Sequence, residues 1–185
     1  MNHIVKNIKQ ITTKYPVTRG MITYSITWPA SSLIQQTMEG KEKFDWCRVM
    51  RFGLFGGFFV APTLYGWIKV ASAMYPGTNL KIAIVKAIVE TISYTPAAMT
   101  CFYYLMTLFE GEGFEAASTE VKNKFLPTYK AAVSIWPVVA VINFGFVPEK
   151  NRVVFISICS FMWSIFLAYM KHLDDIKDAP KFLTN

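Results

Sequence analysis

Charge is scarce in this chain. Of its 185 residues only 17% are Asp, Glu, Lys or Arg, where an ordinary soluble domain has about 25%. With 53% hydrophobic residues, that excludes intrinsic disorder, collagen-like repeats and a coiled coil. Histidine is scarcer still: His3 and His172 lie near opposite termini, where they supply little to a metal or acid–base site. Cys47, Cys101 and Cys159 are odd in number, widely spaced and form no CxxC pair, which argues against a disulfide framework and a cysteine zinc site. The chain has no glycine-rich phosphate loop, no HExxH, and no histidine beside a serine or cysteine nucleophile. Glu90 is the one carboxylate that a candidate span takes in, so paired acid–base chemistry lacks its second group. No enzyme, cofactor or metal site is therefore expected.

What the chain has instead is long uncharged stretches. The runs 20–38, 52–68, 91–109, 131–148 and 153–170 contain no Asp, Glu, Lys or Arg and are 17 to 19 residues long. At 1.5 Å per residue each is roughly 26–29 Å as a helix, close to the ~30 Å hydrocarbon core of a bilayer. The second run continues past Lys69, which snorkels to the interface, giving a span of 52–75. The third, taken back across Lys86 and Glu90, is 84–109. A soluble helical bundle would need polar outer faces, and 153–170 has none. The predicted fold is an all-α integral membrane protein, a bundle of four to five transmembrane helices. The run 20–38 is the most polar, with Thr23, Ser25, Thr27, Ser31, Ser32, Gln35 and Gln36, and it spans only if these face other helices. Pro29, Pro62, Pro96 and Pro137 predict kinks.

The remaining segments divide accordingly: a basic segment 1–19, one transmembrane domain over 20–170, and a polar tail over 171–185. Phe114, Ala117, Val121 and Phe125 recur at helical spacing, which predicts a short surface helix over 114–125 lying along the membrane. The N-terminal segment is basic and acid-free, with Ile4, Ile8 and Ile11 on one helical face. It reads either as a mitochondrial targeting segment or as a basic arm on anionic lipid. Nineteen Lys and Arg against twelve Asp and Glu give +7, but the basic residues flank apolar runs. That favours an anionic bilayer over nucleic acid. With five spans the flanking basic residues fall seven to one side and ten to the other, too even to set orientation.

Lys86 and Glu90, spaced i and i+4, share a helix face. Within the membrane each charge costs ~2.5–3.5 kcal/mol on insertion scales and needs a partner or water. They read as a pore-lining pair, with Asn143 as a third polar candidate, or as an interfacial ion pair. Gly53, Gly57 and Ala61, and in the last run Ser157, Ser160 and Ser164, form small-residue stripes for helix packing and self-association.

An ordered set of residues adds to this. Gln36, Asp45, Trp46, Arg48, Arg51, Gly57, Pro62, Trp67 and Lys69 are followed by Pro96 and Glu110-Gly111. Then come Trp136, Pro137, Asn143, Phe144, Val147, Pro148, Arg152, Trp163 and Leu167. From Tyr15-Pro16 to Tyr169 this resembles the Mpv-seventeen and peroxisomal-membrane-protein family. Val133 stands where the family usually has tryptophan and Ala140 where it has glutamine. Glu90-Thr91 keeps the acid, but not the amide, of an acid–glutamine pair. The resemblance implies a multi-spanning protein of the mitochondrial inner membrane, with the peroxisomal membrane as second choice. It also implies a channel for small solutes or ions, tied to mitochondrial DNA maintenance and reactive oxygen control. The alternative is a non-conducting scaffold or regulator of organelle redox state.

Overall fold

The computed structural model describes residues 10–40 and 42–178, with side chains placed as far as residue 165. The expectations for the first nine residues, Ile4 and Ile8 included, and for the side chain of His172 lie outside the described residues. Past a short helical turn at 10–14, the long elements among the described residues are helices. They are α1 (Val17–Met38), α2 (Trp46–Met74), α3 (Leu80–Ile92), α4 (Tyr94–Phe109), α5 (Phe114–Phe146) and α6 (Arg152–Asp178).

Three stretches among the described residues are long and apolar enough to cross a membrane: α2, α3 with α4, and α5. Only 11% of the most apolar window of α5 is buried inside the molecule. Phe58 and Phe146 stand 67% and 76% exposed, a surface suited to lipid rather than water. The chain is an all-α membrane protein. In the more polar α1, hydroxyls turn onto their own helix: Thr23, Ser31 and Thr37 donate to the carbonyls of Arg19, Thr27 and Leu33.

Proline explains where helices continue and where they stop. Pro62 follows a π-helical stretch, Gly56–Val60, and the widened turn accommodates the donor that proline lacks. Pro96 sits in the first turn of α4, where its missing N–H would have no helical partner anyway. Its ring conflicts with a helical carbonyl at Ile92, and the chain breaks at Ser93. The single span expected over 84–109 is thus two helices, the first beginning at Leu80. Pro29 stays inside α1, and Pro127 and Pro137 stay inside α5.

The separate surface helix expected over 114–125 is a correction: it forms the first part of α5, continuous through Pro127 to Phe146. Its apolar spacing serves internal packing in part, since Ala117 is fully buried and Phe125 stacks on Tyr129 at 5.5 Å. The tail expected from residue 171 likewise begins as helix, to Asp178.

The helices form two halves. Helix α1 packs closely on both α2 and α6, and α5 on both α3 and α4, while the two groups meet at fewer points. Glycines seat α1 on α2: a Cβ at Gly53 would lie 2.8 Å from Pro29, one at Gly56 2.9 Å from Trp28, and one at Gly57 would strike the Ser25 hydroxyl. Gly20 gives Val153 of α6 the same close approach, beside Ala61. Tyr24, Ala61, Leu64, Ile68, Ala140 and Phe144 lie in one buried cluster.

Candidate functional site

The seam between the halves holds a cavity of about 640 Å³, partly open to its surroundings. Its wall runs from Arg51 to Leu64 along α2, about 20 Å at the helical rise. Three zones follow one another along it.

At the mouth, helix ends bring opposite charges together. Gln36, fully buried, clamps the start of α2 to α1: its Oε1 accepts from the Asp45 backbone N–H at 2.6 Å, and its Nε2 donates to the Asp45 carbonyl at 3.3 Å. Asp45 then caps α2, Oδ1 accepting from the Arg48 N–H at 2.8 Å. The Arg48 guanidinium donates to both Glu39 carboxylate oxygens, at 3.0 and 3.3 Å, and to Gln35 at 3.3 Å. Arg51 lies 3.7 Å from Asp45 and, across the seam, 3.5 Å from Glu110. Those distances exceed an ordinary hydrogen bond, and the buried Arg51 Nε has no partner among the described residues. Glu110 is positioned by the end of α4, where Gly111 takes φ +86°, a conformation favouring glycine.

The middle zone is aromatic. Phe102 of α4 crosses the seam into a box formed by Trp28, Phe52 and Phe55, with centroids 5.7–6.1 Å away. At the inner end Glu90 accepts from Trp67 Nε1 at 3.3 Å, Tyr94 stacks on Trp67 at 5.7 Å, and the Tyr94 hydroxyl lies 3.2 Å from Thr63.

The expected Lys86–Glu90 pair does not form. Both lie on α3, but Lys86 reaches back to donate to the Gly77 carbonyl at 2.9 Å while Glu90 faces Trp67. Helical side chains lean toward the helix start, and here one turn of offset separates the cavity from the end of the bundle. Of the three candidate pore residues only Glu90 lines the cavity. Lys86 is buried against the Phe144 ring at 5.3 Å, and Arg152 lies on the same ring at 5.4 Å. Arg152 also donates to Ser72 at 3.0 Å and to the Phe144 and Val147 carbonyls at 3.2 Å. Asn143 is fully buried with neither amide atom partnered among the described residues.

The remaining singled-out residues divide between structure and site. Gly53, Gly57 and Ala61 pack inside the chain. Ser157 is buried and donates to the Val154 carbonyl at 2.8 Å, while Ser160, Trp163 and Ser164 line the cavity, as does Trp136. Trp46 is 63% exposed beside Phe44 at the start of α2. Pro148 opens the turn before Arg152. Sequence reasoning passed over Phe102 and the Glu120 and Lys124 pair at the mouth, which carry no spacing signal linking them to α2.

Residues 107–168 match the Mpv17 / PMP22 family. The chain is 28% identical to a Mpv17-like protein of Xenopus laevis, over 89% of this chain and 81% of that one. It is 29% identical to protein sym1 of Aspergillus oryzae, over 87% and 94% of the two chains. Similarity to the mitochondrial inner membrane protein Mpv17 of Caenorhabditis briggsae is lower, 22%, but covers 95% and 97%. Over most of its length the chain is similar to proteins of the Mpv17 / PMP22 kind. No solved structure matches it. Several of the family-motif residues thus have structural work: Gln36, Asp45 and Arg48 build the α1–α2 corner, and Phe144, Pro148 and Arg152 the α5–α6 corner. Ala140, where the family usually has glutamine, lies in the apolar core, 3% exposed.

Proposed function

We propose that the protein is a channel for small solutes or ions in the mitochondrial inner membrane, its path following the seam. The observation that carries this reading is the 640 Å³ cavity with a charged mouth at one end and Glu90 at the other. In this state the path stops at Glu90, Trp67 and Tyr94, so conduction requires the halves to part there; their sparse contacts favour such a movement. Glu90, set among apolar helices, is a group placed to act on passing charge. The mitochondrial assignment draws on the name of the Caenorhabditis relative; the peroxisomal membrane is the second location. Roles in reactive oxygen control and mitochondrial DNA maintenance would follow from the solute carried.

Single-channel recording of the purified protein beside Glu90→Gln tests the reading. Reproducible currents with altered conductance or selectivity in the variant are expected. Unchanged current in a folded variant removes Glu90 from the path. Silence of folded wild-type protein across several lipid mixtures, anionic ones included, ends the channel reading in favour of a non-conducting scaffold. That alternative has lost one surface, because Gly57 is occupied by α1; Phe114, 71% exposed, remains available to a partner.

A further inference from the structure

Conduction leaves the form of the cavity unexplained. A solute path does not call for an apolar, ring-lined middle, yet Phe52, Phe55, Met99, Phe102 and Met106 line that zone. Its volume of about 640 Å³ is that of a small-molecule site, which typically spans ~300–1,000 Å³. The slot also lies between two halves that touch sparsely and is partly open to its surroundings.

The mouth specifies the head of an occupant. Asp45, Glu110 and Glu120 face the cavity together with Arg48, Arg51 and Lys124, three groups of each sign. A purely anionic head would meet three carboxylates and a cationic one three bases; a head carrying both charges meets a partner for each. Arg48 is already committed to Glu39. Arg51 is held more loosely, by ion pairs of 3.7 and 3.5 Å to Asp45 and Glu110, and its buried Nε has no hydrogen-bond partner among the described residues. A guanidinium held there is set to take a phosphate by parallel hydrogen bonds, and Glu110 beside it an ammonium.

We propose that the seam is a binding site for a single-chain zwitterionic amphiphile of the lysophospholipid class. The phosphate lies at Arg51, the amine at Glu110, and the acyl chain along the aromatic zone toward Leu64. Moving an acyl chain from lipid into an apolar slot gains little, because the two media are alike. Selectivity therefore rests on the head group. The proposal uses the same cavity as the channel reading but needs no current.

The test uses full-length protein in phosphatidylglycerol nanodiscs, titrated with lysophosphatidylcholine bearing a brominated chain. Trp28, Trp136 and Trp163 line the cavity and report entry by quenching. Saturable quenching is expected, with affinity at least fivefold above that for brominated lysophosphatidylglycerol or monoacylglycerol. Arg51→Gln should remove the preference over monoacylglycerol and Glu110→Gln that over lysophosphatidylglycerol, while Ala98→Phe, which fills the slot, should remove saturable quenching altogether. Circular dichroism checks that each variant folds; should Arg51→Gln fail, Ala98→Phe still decides. Non-saturating quenching that is equal in Ala98→Phe, or equal affinity for all three head groups, overturns the proposal. Saturable binding by a protein silent in bilayers sinks the channel and leaves this site standing; currents without saturable quenching do the reverse.

Discussion

At the mouth of the seam Arg48 and Arg51 stand part-exposed among Glu39, Asp45 and Glu110. At the opposite end of the bundle Lys86 and Arg152 are 2% and 4% exposed, and neither is ion-paired with a carboxylate among the described residues. Backbone carbonyls, one hydroxyl and the face of Phe144 take the place of acids there. The first pair is screened by water and salt, so each contact is weak and exchangeable. The second is dry, so its hydrogen bonds are strong and their loss leaves acceptors stranded. Each end holds a pair of basic side chains, Arg48 and Arg51 or Lys86 and Arg152, but exposure makes the mouth adaptable and burial makes the other end a rivet. Arg152 joins Ser72 of one half to Phe144 of the other there, so a path that opens past Glu90 has to loosen this rivet.

The contrast is broken most severely at Arg152. Arg152→Met leaves the Phe144 and Val147 carbonyls and Ser72 without their donor, and should cost on the order of 3 kcal/mol or more, at about 1.5–3 kcal/mol for each hydrogen bond to a charged group. Chemical unfolding in detergent measures it; a midpoint equal to wild type would show that the rivet does not hold. Gly57→Val, away from both ends, drives a side chain into Ser25 and should cost about 1–3 kcal/mol through overpacking. A loss smaller than that of Arg48→Gln would mean α1 shifts freely. Asn143→Leu sharpens the picture of the dry end with the opposite sign. Removing an unpartnered buried amide should raise stability by about 1 kcal/mol, and a loss instead would show that its amide is satisfied in the membrane. Arg48→Gln at the mouth should cost about 1 kcal/mol or less. Its effect should fade in high salt, whereas that of Arg152→Met persists; equal salt dependence would erase the distinction.

The membrane class was legible because it rests on run length and the rarity of charge, properties that need no contacts. The glycine spacing at 53 and 57 pointed to close helix approach, and those residues do lie against α1. Pro96 was legible as an interruption, but whether it kinks or ends a helix depends on how the chain packs on either side of Ser93. The surface helix over 114–125 was misread because the same spacing serves a lipid face and an internal one, and nothing local marks the continuation through Pro127. Glu90 was found from its unusual place beside an apolar run. Its supposed partner Lys86 was lost because i,i+4 spacing fixes a shared face and not the direction each long side chain takes.

By itself, then, the sequence determined an all-α membrane protein, a family resemblance, and the residues that stand out against apolar surroundings. These follow from transfer energetics and ordered residue identities, which are additive along a chain. Tertiary structure decided the division into two halves, the cavity between them, and which charges are wet and which are dry. Those depend on which helix ends meet. Glu110 reaches Arg51 from the end of α4, and Phe102 enters the box formed by Trp28, Phe52 and Phe55 from across the seam. Such encounters are long-range in the chain, and only packing brings them together.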